Sequence, residues 1–210
     1  MNRRALPRTD SLRRTLAQEA ARLMAEHGIR DFLTAKRKAA ERLGVFDAGK
    51  LPRNHEIQDA LVEYQRLFGG EEHARALLAK RSAAIAAMNL LAEFRPRLVG
   101  AVLLGTASSH NDIQLHLFAD RAETVSFFLF DREIPHEFFD RRMKYSADRV
   151  IAHPGLRFEI GDQLVEAVVF SHDGIRQAPM SVIDGKPMRR ADAAEVRALV
   201  GQAELTDDRG

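Results

Sequence analysis

Apolar residues recur every three or four positions through the first half of the chain, which is the spacing of amphipathic helices. Asp10 or Ser11 can cap a first helix, and Gly28 is suited to its C-terminal cap. Asn54 is a good cap for a third helix, and Pro96 stops a fourth. The spacing and the caps together predict four helices, over about 11–27, 31–43, 55–68 and 71–94.

From Arg97 onwards the pattern changes to shorter apolar runs that are typical of strands. The run 98–104 is continuous and predicts a buried strand, whereas residues 112–118 alternate between polar and apolar side chains. The remaining predicted elements are a helix over 122–132, strands over 137–145, 156–160 and 164–170, a turn at Gly161-Asp162, and a final helix that begins at Asp192 with a capping box completed by Glu195.

These elements predict an α+β fold, in which an N-terminal helical unit precedes a small mixed β-sheet flanked by helices. We expect residues 1–96 to form a net basic helical domain and residues 97–210 to form an α/β domain. Charge also divides the chain, because residues 1–97 contain 19 Lys and Arg against 12 Asp and Glu, whereas residues 98–210 contain 13 against 18. The basic half is either a set of well-solvated helices or a surface for an anionic partner.

Composition narrows the class of protein. A chain of 210 residues that is 45% hydrophobic and 30% charged is typical of a globular protein with a sizeable core. The absence of cysteine excludes a disulfide framework, a thiolate zinc site and a cysteine nucleophile. No apolar run is long enough to span a bilayer, so we expect a cytoplasmic protein with no membrane partner.

The stretch from Gly105 to Asp112 combines the residue types that bind phosphate and a cation. Gly105 permits close approach of the backbone to a ligand, and Thr106, Ser108 and Ser109 offer hydroxyls and amides to a phosphate. Asp112, at the start of the next predicted strand, has a carboxylate that suits a divalent cation. The alternative is a connecting turn in which these small polar residues only serve the backbone geometry.

The order of a strand, Gly105-Thr106, a short linker and then Asp112-x-Gln114 on a second strand resembles the signature of the nucleotidyltransferase-fold superfamily, the DNA polymerase β-like group. The resemblance implies a mixed sheet flanked by helices, a small pair that anchors the phosphates of a nucleotide, and two or three carboxylates that hold Mg²⁺ for in-line attack on the α-phosphate. It assigns Asp112 as the first carboxylate and Glu166, the lone acid in the run LVEAVVF, as the carboxylate on a later strand. Residues 97–200 also resemble bacterial chains that are loosely labelled nucleotidyltransferases.

This sequence departs from the family pattern at three features, of which the smallest is Thr106 in place of the commoner serine. The linker between Thr106 and Asp112 has five residues and is shorter than is usual in the superfamily. Gln114 stands where the second carboxylate is expected, and its amide oxygen is a weak, neutral ligand for a divalent cation. We therefore expect no full two-metal site, but a site in which Asp112 and Glu166 hold one Mg²⁺ or Mn²⁺ and Gln114 lies among the nucleotide contacts.

Two histidines and two basic runs add candidates. His116 shares a strand face with Asp112 and is either a hydrogen-bonded buried histidine or a catalytic base, and His110 lies in the turn, where it is placed to contact phosphate. Lys186, Arg189 and Arg190 belong to a loop that either reaches an anionic ligand or is simply solvated. The basic residues of the second predicted helix, which are candidates for nucleic-acid contact, are Lys36, Arg37, Lys38 and Arg42.

Two functions remain open on these residues. The first is a nucleotidyltransferase that binds a nucleoside triphosphate and Mg²⁺ and transfers a nucleotidyl group to an unknown acceptor. The second is a non-catalytic binding module of the same fold, whose basic helical half contacts nucleic acid or an acidic protein. No P-loop, zinc-protease or nucleophile-elbow motif is present to favour another enzyme class.

Overall fold

The computed structural model describes residues 8–207 of the chain. The described residues form two compact units. The first consists of the residues up to Ala74 together with Ser108–His110 and Val182–Asp184, and the second contains the rest. The architecture is α+β, with helices in both units and a single five-stranded mixed sheet in the second.

The first unit is built from three helices that bury alanine and leucine side chains against each other. Asp31 caps the second of these helices, because its carboxylate accepts a hydrogen bond of 2.7 Å from the Thr34 amide. The core contains Leu16 and Leu23 of the first helix and Ile57 of the third, all at most 1% exposed. The helices are α1 (Arg8–His27), α2 (Phe32–Arg42) and α3 (Asn54–Phe68).

Gly28 ends α1 in the left-handed conformation, with φ of +65°, as the sequence predicts for a C-terminal cap. A side chain at this position would also meet the ring of His110, since a Cβ built on Gly28 lies 2.7 Å from the His110 Cδ2. Glycine is therefore required at position 28 both by the backbone conformation and by the packing of the 108–110 turn.

The second unit is a sheet with helices packed on one face. The strand order is β1-β2-β5-β4-β3; β2 and β5 run parallel, and the other neighbouring pairs are antiparallel. The turn at Gly161-Asp162 joins β4 to β5, as predicted, and Gly161 has φ of +61°. The strands are β1 (Arg97–Val99), β2 (Ile113–Phe118), β3 (His136–Lys144), β4 (Val150–Ile160) and β5 (Gln163–Phe170).

Side chains from the sheet and from four helices form the main core of this unit. Ile113, Leu115 and Leu117 of β2 are completely buried there, so the alternation in that strand is confirmed. Most of the fourth helix belongs to this unit, because Ala84, Ala87 and Met88 pack into the same core. The helices are α4 (Gly70–Leu90), α5 (Gly100–Leu104), α6 (Ala122–Phe130) and α7 (Ala193–Asp207).

The predicted strand over 98–104 is wrong for most of its length. Only Arg97–Val99 is strand, and the chain then turns into the short helix α5. Gly100 lies at the change of direction with φ of +71°, a conformation that the neighbouring valines would adopt only with strain. A short apolar run is compatible with either a buried strand or a buried helix, and here Val102 and Leu103 reach the core from a helix.

The start of α7 follows the predicted capping box. Asp192 Oδ1 accepts a hydrogen bond of 3.0 Å from the Glu195 amide, and Glu195 Oε2 accepts one of 2.9 Å from the Asp192 amide. No helix in the described part of the chain combines the length and the apolar character needed to cross a membrane.

We expect Asp192→Ala to lower the free energy of unfolding by about 1 kcal/mol, because the first turn of α7 loses its cap. Asp192→Asn, which retains an acceptor oxygen at the same position, should stay close to the wild-type protein. Urea unfolding followed by circular dichroism measures both variants. An alanine variant as stable as the asparagine variant would show that the cap contributes nothing here.

Candidate functional site

The sheet face opposite the helices carries the polar residues that the sequence singles out. Gln114 of β2 pairs with Glu166 of β5, and Glu166 pairs in turn with Arg157 of β4. Cross-strand partners project from the same face of a sheet, so these three side chains are neighbours. Asp112 directly precedes β2 and lies near enough to raise the pKa of the Arg157 guanidinium. The structure therefore brings Asp112, Gln114 and Glu166 to one region.

Two arginines hold the carboxylate of Glu166, whose side chain is only 6% exposed. Arg141 Nη2 lies 2.5 Å from Oε2, and Arg157 Nη2 lies 2.6 Å from Oε1. Burial raises the pKa of Glu166, but the hydrogen bonds and charges of Arg157 and Arg141 outweigh it, so the pKa lies below its ordinary value. Glu166 is thus an ionised acid whose two oxygens are both engaged.

This arrangement does not fit the metal centre that the family resemblance implies. Each oxygen of Glu166 already accepts from a guanidinium, and its neighbour Gln114 adds no negative charge. Among residues 8–207, no three His, Asp or Glu side chains form a group that could hold a metal ion. Mg²⁺ or Mn²⁺ on Asp112 and Glu166 stays a prediction, and a cation there would first have to displace arginine.

His116 lies deeper on the same face, in a buried cluster of rings and one guanidinium. It is 1% exposed, and its Nδ1 accepts a hydrogen bond of 2.9 Å from Arg190 Nε. Its ring lies 4.5 Å from that of Phe170, which also contacts His153 at 4.4 Å. Burial, with the charge of Arg190, holds the pKa of His116 well below its ordinary value. His116 is therefore a neutral, packed histidine, and its catalytic role stays a prediction.

Arg190 fixes the segment before α7 across this face. Its Nη1 donates to the carbonyl of Gly174 at 2.7 Å, and its guanidinium lies 5.1 Å from the ring centre of Phe118 and 4.9 Å from that of Phe170. Burial lowers the pKa of Arg190 to about 10. The sequence left two alternatives for the basic loop, namely contact with an anionic ligand or simple solvation. Arg190 fits neither alternative, because its side chain makes contacts inside the protein.

The predicted phosphate turn begins with amides that the fold already uses. Gly105, with φ of +79°, ends α5, and its amide and that of Thr106 both donate to the carbonyl of Ala101. The guanidinium of Arg81, from α4, lies beside this turn. Its Nη2 lies 3.5 Å from a Cβ built on Gly105, and burial together with the charge of Arg189 lowers its pKa.

The rest of the predicted turn belongs to the first unit. Ser108, Ser109 and His110 group with the helices, where the His110 carbonyl accepts from Arg30 and its amide donates to the Ser108 hydroxyl at 3.3 Å. Their assignment as nucleotide contacts stays a prediction.

The basic cluster of α2 is partly neutralised by its own unit. Arg42 pairs with Glu19 at 3.1 Å, and Lys36 is partly buried, with Glu56 and Asp31 close enough to counter the fall in its pKa. Arg37, Lys38 and Arg42 are all exposed, and one of these three cations is taken up by the pair between Arg42 and Glu19.

Sequence reasoning missed the arginines that define the face. In the sequence, Arg141 and Arg157 look like ordinary solvated strand residues. Their neighbours along β3 and β4 are apolar or point to the opposite face, which is the usual pattern of such residues. The one available signal was Glu166 itself, because a lone acid in an apolar strand requires a cationic partner. Which of the many arginines supplies it depends on strand register.

Compared with protein-family models, with curated proteins and with solved structures, the chain gives no match. The class of protein that the structure itself defines is an α+β protein with a five-stranded mixed sheet, covered by helices on one face and carrying an arginine-held carboxylate on the other.

We expect Arg141→Met to lower the free energy of unfolding by about 1–2 kcal/mol at neutral pH, because Glu166 then keeps one ion pair instead of two. The pairs contribute above the ordinary acidic pKa of 4.5, and their contribution is lost as pH falls through the lowered pKa of the folded state. The deficit should therefore shrink as the pH falls below 4.5. Arg142→Met, the neighbour on the opposite face of β3, is the matched control, and an equal loss in both variants would contradict the assignment.

We also expect stability to fall as pH drops below the ordinary histidine pKa of 6.5, because the unfolded chain takes up a proton that buried His116 refuses. The groups that face His116 are Arg190, Arg141 and His153. The slope for one proton is about 1.4 kcal/mol per pH unit. His116→Asn keeps an acceptor for Arg190 but cannot be protonated, so its stability should depend less on pH between 6.5 and 5. Changing the exposed His27 to Asn should leave the wild-type profile, and denaturant unfolding at several pH values decides the matter.

Proposed function

We propose that the second unit is a nucleotidyltransferase-like binding module that holds the phosphates of a nucleoside triphosphate beside Gly105 without two-metal catalysis. The observation that supports it is the placement of Arg81 and Arg189. The partly buried Arg81 lies against the turn, and its pKa is lowered by burial and by the like charge of Arg189. A desolvated guanidinium with a second cation near enough to repel it favours an anionic ligand.

Within residues 8–207, the hydrogen bond that the structure shows for the Arg81 side chain uses one of its five N–H donors. Its Nε donates to the carbonyl of Val102 at 3.3 Å, which orients the guanidinium towards the turn. No ion pair of Arg81 or Arg189 is present within the portion of the chain that the structure covers. A triphosphate would supply several acceptor oxygens and would relieve the repulsion between the two guanidinium groups.

Nucleotidyl transfer is the second candidate, because one observation favours it. Gln114 and Glu166 are direct partners across the parallel pair β2 and β5, and Asp112 directly precedes β2, which is the layout that the family resemblance implies for its carboxylates. Transfer would require that a divalent cation replace at least one arginine at Glu166. The basic α2 helix adds less to the nucleic-acid alternative, since Arg42 is paired with Glu19.

We expect ATP, CTP, GTP or UTP to raise the unfolding midpoint of the wild-type protein in EDTA, and to do so much less in Arg81→Ala. A ligand at a hundred times its dissociation constant adds about 2.7 kcal/mol of stability, which thermal unfolding resolves readily. Inorganic triphosphate, included as a probe, separates recognition of phosphate from recognition of a base.

Arg176→Ala is the control, because it removes one exposed arginine of the same unit that follows the short helix after β5. It should bind as the wild-type protein does. Two results together would support the transferase instead of the binding module. The first is stabilisation that requires Mg²⁺ or Mn²⁺ and is lost in Asp112→Asn, and the second is turnover of the nucleotide. No stabilisation by any nucleotide, with or without metal, would contradict both candidates.

A further inference from the structure

The strand β3 forms one edge of the sheet, and no strand within residues 8–207 pairs with its outer side. Tyr145, which follows it, donates to the carbonyl of Arg149 across the hairpin, and residues of an antiparallel strand alternate in the direction of their backbone groups. The N–H and C=O groups of Phe138, Asp140 and Arg142 therefore point away from β4. Within the described chain, none of these three makes a further backbone bond.

The open part of this edge has a defined end. Met180 donates a hydrogen bond of 2.6 Å to the carbonyl of Lys144, so the last residue of β3 is already covered by the chain. The uncovered stretch is 136–142, which is long enough to pair with one further strand.

Charge along β3 is divided between its two halves. The acidic residues Glu137 and Asp140 come first, and the basic residues Arg141, Arg142 and Lys144 follow. Charged residues scattered along an edge normally prevent pairing with another chain. Here the division suits one partner, because an antiparallel copy of the same strand can place the acidic Glu137 opposite the basic Arg141.

We propose that the chain forms a two-fold symmetric dimer by antiparallel pairing of β3 with β3 of a second copy, centred on Phe139. In this register Phe138 is paired with Asp140 of the second copy, and His136 with Arg142 of the second copy, so the outward backbone groups bond to each other. Glu137 then lies opposite Arg141 of the second copy. The pairing stops short of Lys144, where Met180 covers the edge.

Exposed aromatic rings lie beside the same edge. Phe138 is 56% exposed and projects from the helix-covered face, since its cross-strand partner Leu156 is in the main core. Phe130 of α6 is 73% exposed, and Ser126, one helical turn before it, bonds to His136 at the start of β3 with 2.6 Å between Oγ and Nε2. A second copy on this edge would remove part of this apolar surface from water.

The test is the association state of the full chain, measured by sedimentation equilibrium over a wide range of protein concentration. We expect a monomer–dimer equilibrium in the wild-type protein. Arg142→Pro removes an N–H that points away from β4, so it spares the β3–β4 ladder but deletes two bonds of the symmetric dimer. The dissociation constant should rise about ten-fold or more in this variant.

Arg142→Ala is the matched control, because it removes the same charge and keeps the N–H; its dissociation constant should stay much closer to that of the wild-type protein. Hydrogen exchange of the wild-type protein gives a second readout that needs no variant: the amides of Phe138, Asp140 and Arg142 should become protected as concentration rises. A monomer at all concentrations, or a dimer whose β3 amides remain unprotected, would overturn the proposal. Neither result depends on nucleotide binding.

Discussion

The second unit depends on the parallel pairing of β2 with β5 at the middle of the sheet. On one face of this strand pair, apolar residues pack against four helices. On the opposite face, Gln114 lies beside Glu166. A buried carboxylate is costly unless its charge is matched, and Arg141 and Arg157 reach it from the two strands beyond. The polar face is organised around that requirement.

The same constraint bears on function. The carboxylate positions that the family resemblance implies are brought together, but the cations that satisfy Glu166 are guanidinium groups of the chain itself. Beside the Gly105 turn, positive charge is present as the guanidinium of Arg81, on which the charge of Arg189 also acts. This is why we propose binding of a nucleotide rather than metal-assisted transfer. Deeper on the face, Arg190 joins His116 to the segment before α7, so that region serves packing.

Local pattern predicted much of the architecture. Helical spacing located α1 to α3, alternation located β2, and the Asp192–Glu195 spacing located the start of α7, because each signal arises within a few residues of the element it marks. The prediction of a strand after Arg97 is wrong because the apolar residues of this run suit a buried strand and a buried helix equally. The left-handed Gly100, which converts strand to helix there, has no signature in hydrophobicity.

The same distinction holds for the candidate site, where some features follow from the sequence and others only from the fold. The sequence by itself determined that Glu166 is an acid within an apolar strand, that position 114 carries a neutral amide, and that Gly105 permits close approach of the backbone. Only the tertiary structure decided that arginines from β3 and β4 neutralise Glu166, that His116 is buried against Arg190, and that β3 is left at an open edge. Composition and spacing report which side chains are available, but the partner of a buried charge is set by strand order and register, which bring together residues distant in the chain.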